Sequence, residues 1–125
     1  MGNTILLVDD DREFQNLMKA KAEDNCELLT TKCGRNISGY LAEIQGTIER
    51  KKIDILIINC NLFAADGRQI AFILRSIYPH LKIVLTSINR NDFSAIMAQT
   101  EKQNIYFVDK LNINLDELKR ICQSP

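Results

Sequence analysis

Ile53-Asp54-Ile-Leu-Ile-Ile58-Asn59-Cys60-Asn61-Leu-Phe63-Ala-Ala-Asp66-Gly67 is the stretch whose reading decides the fold. Ile53 to Ile58 is nearly continuous in branched apolar residues. The run is too short for a helix, and it reads as a strand buried on both faces of a parallel sheet. Polar residues begin abruptly at Asn59, where the strand ends. In open α/β sheets, chemistry gathers at the carboxyl ends of the strands. Asn59 therefore stands where an active side chain is expected, yet it is an amide.

On the amino-terminal side, Thr4 to Val8 is a second short β-rich run, closed by Asp9-Asp10-Asp11. Phe14, Leu17, Met18 and Lys21 then share one helical face, and an aspartate ahead of them can cap that helix. Glu27 to Thr31 is a weaker strand. Ile37, Tyr40, Leu41, Ile44 and Ile48 mark a second amphipathic helix, weakened by Gly39 and Gly46. On the carboxyl-terminal side, Ile70, Ile73, Leu74 and Ile77 fit a third helix that Pro79 stops. Lys82 to Leu85 is a fourth strand, ended by Thr86-Ser87. A helix with Phe93, Ile96 and Met97 inward follows, then a fifth strand from Ile105 to Val108, ended by Asp109-Lys110. Leu115, Leu118, Ile121 and Cys122 line the last helix. Five strands alternating with five helices imply an α/β fold, a doubly wound parallel sheet covered on both faces.

The 125 residues suit a single domain spanning 1–125. Sixteen basic residues balance sixteen acidic ones, which argues against a general nucleic-acid surface or an anionic membrane surface. No apolar run approaches a membrane span and no signal-peptide pattern precedes the first strand, so the chain is expected in the cytoplasm. Cys26, Cys33, Cys60 and Cys122 show no metal-ligand spacing; three read as buried, reduced thiols, and Cys60 differs only in following Asn59 in the presumed active loop.

Asp9, Asp10, Asn59, Thr86 and Lys110 all fall at strand ends. Two adjacent carboxylates suit a hard cation such as Mg²⁺, and a lysine and a threonine can hold phosphate oxygens. The blocks I-L-L-V-D9-D10-D, D54-I-L-I-I-N59-C-N61-L-x3-D66-G67, V-L-T86-S87 and Y-F-V-D-K110 together resemble the receiver domain of bacterial two-component response regulators, over essentially the whole chain. The resemblance implies a flavodoxin-like (βα)5 fold with strand order 2-1-3-4-5, the arrangement described for that fold generally. It also implies that Asp9 and Asp10, completed by the backbone of Asn61, form a Mg²⁺ pocket. Thr86 and Lys110 would contact a phosphoryl group.

The departures from that pattern carry the functional expectation. The phosphoaccepting aspartate of the family falls on Asn59, and an amide has no anionic oxygen to attack phosphorus. Asp54 cannot substitute, because it lies five residues back, about 16 Å along a strand. Phe63 and Leu111 stand where the family usually has prolines, and Phe107 occupies the switch-aromatic position without a hydroxyl. The expected function is a pseudo-receiver, a phosphorylation-independent protein-interaction module of bacterial signalling. It needs no cofactor and binds Mg²⁺ weakly if at all. Its fourth helix, fifth strand and fifth helix are the candidate face for a protein partner. Two alternatives stand beside this reading: residual phosphoryl or metal chemistry at another nucleophile, Cys60 being the nearby one, and a structural or dimerising fragment of a longer regulator.

Overall fold

Among the described residues, strands and helices alternate: β1 (Asn3–Val8), α1 (Arg12–Lys21), β2 (Cys26–Thr30), α2 (Ile37–Arg50), β3 (Ile55–Asn59), α3 (Gly67–Ile77), β4 (Ile83–Ser87), α4 (Phe93–Lys102), β5 (Tyr106–Asp109) and α5 (Leu115–Gln123). The computed structural model describes residues 3–22, 26–32 and 34–124, so Cys33 lies outside the described residues. The strands form one sheet in the order β2-β1-β3-β4-β5, and every neighbouring pair is parallel. Fold and strand order agree with the sequence reading. Among the described residues no helix is long and apolar enough to cross a membrane.

Strand periodicity sorts the core into two layers. Leu6, Val8, Leu56, Ile58, Ile83 and Leu85 point into one, where they meet Tyr40 and Ile44 of α2 and Ile70 and Leu74 of α3. Ile5, Leu7, Ile55, Ile57, Val84 and Val108 point into the other, against Phe14 and Met18 of α1 and Leu118 and Ile121 of α5. β3 is buried at all five positions, as its unbroken apolar run requires. β2 lies at the edge of the sheet and is mostly half-buried, which explains its weaker apolar signal.

The structure corrects several sequence expectations. β3 begins at Ile55 rather than Ile53, because Asp54 turns aside: its carboxylate accepts the Thr4 N–H at 2.7 Å and its own N–H donates to the Thr4 carbonyl at 2.9 Å. β4 runs on through Ser87 and β5 through Asp109. Short 3-10 turns at Arg90–Asp92 and Lys110–Asn112 follow these two strands. Leu17 and Met97 were placed on inward faces but are about half exposed. The buried stripe of α1 narrows to Phe14 and Met18, and that of α4 to Ile96 and Thr100, each one i, i+4 pair.

Candidate functional site

Side chains alternate along a strand, so the residue after each buried run inherits a face. Ile5 and Leu7 lead to Asp9, Ile55 and Ile57 to Asn59, Val84 to Thr86, and Val108 to Lys110. The register aligns Asn59 with Thr86 and Thr86 with Val108. Four residues singled out from sequence thus gather at one edge of the sheet, on the side covered by α1 and α5.

Lys110 is the centre of this edge. Its ammonium lies 2.9 Å from Asp9 Oδ2, and the two side chains are 9% and 1% exposed. Asp11 Oδ2 is 3.5 Å away, and the Phe14 ring lies beneath the ammonium at 4.5 Å. The other Asp9 oxygen accepts the Asp11 N–H at 2.9 Å. Asp109 holds the turn that carries Lys110, accepting from the Leu111 N–H at 3.0 Å and from the Asn112 amide at 2.9 Å. Lys110 is thus paired with Asp9 and Asp11, while Asp10 leaves the strand on the opposite face.

Asp11 caps α1 through the Phe14 N–H at 3.2 Å. That bond, and next the Lys110 charge, hold its carboxyl below the ordinary 3.8. With the folded value depressed, its contribution to stability is present above about pH 4 and is lost as the pH falls through the lowered value. Asp10 Oδ2 accepts the Tyr40 hydroxyl and the Phe63 N–H, each at 2.6 Å. Sequence periodicity assigned Tyr40 to the core and gave no sign of this second role.

Asn59 is 8% exposed. Its amide oxygen accepts the Asn61 N–H at 3.2 Å, closing the first turn of the β3–α3 loop. Asn61 itself is exposed and bridges to Asp66, which caps α3 by accepting the Arg68 N–H at 2.9 Å. The Thr86 hydroxyl is fully buried and has no hydrogen-bond partner among the described residues. Phe107 is half-buried and meets Phe93 edge to face, ring centroids 5.0 Å apart.

Cys60 follows Asn59 but points into the other core layer, beside Leu62 and Ile70. Its backbone N–H donates to the Thr86 carbonyl at 2.8 Å. Burial, ahead of every charge effect, pushes the thiol up to about 12. The shift disfavours the thiolate at neutral pH, and the side chain points away from the layer that Asn59 faces. Among the described residues no three His, Cys, Asp or Glu side chains are grouped so that they could hold a metal ion.

No family model matches the chain, and no curated protein does. Solved structures do match. The non-phosphorylated HemR receiver domain from Leptospira biflexa superposes with a TM-score of 0.75 at 17% identity, over 98% of this chain and 96% of that one. The chemotaxis response regulator CheY4 of Vibrio cholerae gives 0.73 at 16% identity, over 97% and 99%. NtrX from Brucella abortus, solved in complex with ADP, gives 0.73 at 22% identity, over 98% of this chain but 27% of its own. With order β2-β1-β3-β4-β5 and near-complete coverage of the shorter neighbours, the chain has the fold of the response-regulator receiver domain.

Proposed function

We propose that the chain is a pseudo-receiver, a protein-interaction module of signal transduction whose output does not depend on phosphorylation. The observation that carries this is the end of β3. The side chain beside Thr86 and the Lys110–Asp9 pair is the Asn59 amide, with its oxygen bound to a backbone N–H. That amide has no anionic oxygen to attack phosphorus. The lysine that would neutralise an incoming phosphoryl group is already neutralised by Asp9 and Asp11. The domain acts by binding rather than by turnover, needs no cofactor, and holds Mg²⁺ weakly.

A protein partner fits better than nucleic acid on a chain with balanced charge. Phe63, Ile88 and Leu111 are 88%, 55% and 71% exposed and stand on the three loops that follow β3, β4 and β5. On the face of α4, β5 and α5, Met97 is the one large apolar side chain so exposed among the described residues. The apolar rim around the pocket is therefore the favoured docking surface, ahead of that face.

Beryllofluoride, a phosphoryl mimic that needs an aspartate to coordinate, tests this reading. Added with Mg²⁺ to the ¹⁵N-labelled protein, it should leave the amide spectrum unchanged. Saturable shifts clustered at Asp9, Asn59, Thr86 and Lys110 would overturn the reading.

A further inference from the structure

Consecutive side chains leave a strand on opposite faces, and Asp9 and Asp10 are divided in this way. Asp9 goes to Lys110. Asp10 goes to the layer of α2 and α3, where a single oxygen accepts two short bonds, from the Tyr40 hydroxyl and from the Phe63 N–H. Tyr40 is 1% exposed. Its ring lies so close over Gly34 that a Cβ there would stand 2.8 Å from it. Three separate segments therefore meet at one carboxylate: the end of β1, the first turn of α2 and the β3–α3 loop.

That arrangement does not fit the divalent ion that the fold family implies. Mg²⁺ requires near-octahedral oxygen ligands and gives up its water reluctantly. An oxygen that already accepts two charge-assisted hydrogen bonds would have to surrender some of that bonding to become a ligand. The Asp9 carboxylate is committed in the same way to the Lys110 ammonium.

We propose that Tyr40 is an internal competitor for a metal at this pocket. Its hydroxyl shares Asp10 Oδ2 with the Phe63 N–H, which ties the β3–α3 loop to the end of β1 without any cation. The proposal rests on the reading of the pocket given above, and it adds a second lesion to the amide at residue 59. Asn59→Asp supplies the missing carboxylate but leaves Asp10 tied. Tyr40→Phe removes the tie and keeps the ring.

Calorimetric Mg²⁺ titrations of Asn59→Asp and of Asn59→Asp/Tyr40→Phe separate these effects. The double variant should bind at least about tenfold more tightly, the scale of one hydrogen bond to a charged group. Equal affinity in the two variants would overturn the competitor role and leave the pocket reading standing. Saturable binding by neither would also overturn the competitor role, because releasing Asp10 would then open no metal site. Should Tyr40→Phe fail to fold, the near-ultraviolet tyrosine absorbance of Asn59→Asp reads the same exchange. It should change saturably as Mg²⁺ releases the hydroxyl from Asp10. Saturable binding with a constant tyrosine band would count against the proposal.

Discussion

Replacing Lys110 with alanine should cost the fold about 3–5 kcal/mol at neutral pH, the usual loss when one partner of a buried ion pair is removed. The Asp9 carboxylate is 1% exposed, and its Oδ2 has no hydrogen-bond partner among the described residues, only the ion pair with the Lys110 ammonium 2.9 Å away. Truncation leaves that oxygen buried, charged and unpaired. The double replacement Asp9→Asn/Lys110→Met removes both charges and keeps an apolar stem over Phe14. It should lose much less than the sum of its parts. Strictly additive losses in urea unfolding would mean that the lysine stabilises through its stem alone.

Gly67→Ala should cost about 3 kcal/mol, at the upper end of the range for overpacking. A Cβ at this position would stand 1.9 Å from the Asn59 carbonyl oxygen and 3.0 Å from Ile58 Cγ2. The obstacle is backbone at the carboxyl end of the central strand, which cannot swing aside as a side chain can. No described glycine has a positive φ, so space rather than backbone conformation selects glycine here. The substitution should move the amide signals of Asn59, Cys60 and Gly67 together, because the Gly67 N–H is bonded to the Cys60 carbonyl at 2.9 Å. A loss below about 0.5 kcal/mol, the size of an ordinary surface change, would show that the loop yields without strain.

These two residues also show how much of the molecule could be read in advance. Asn59 was legible because a short branched-apolar run followed by polar residues reads as a central parallel strand and its active end, and Asp9, Thr86 and Lys110 were legible in the same way as residues at strand ends. The close packing around Gly67 was not. Period-two alternation separates Asp9 from Asp10, and treating them as a matched pair overlooked it. The partner of Asp10 was not legible at all. Tyr40 lies 30 residues along the chain on α2, and only the packing of α2 beside the β3–α3 loop brings its hydroxyl to the carboxylate. Leu17 and Met97 were misplaced for a simpler reason. A helix covering one face of a sheet buries a narrow stripe, and an apolar residue on its flank looks the same in sequence as one at its centre.

The proposal that this receiver fold takes no phosphoryl group, because Asn59 stands at the end of β3, is tested most directly by intact-mass measurement after incubation with acetyl phosphate and Mg²⁺. The mass of the protein should stay unchanged while an ordinary receiver treated alongside gains one phosphoryl group. A base-labile gain of one phosphoryl group on this chain, at any aspartate or at Cys60, would contradict the account.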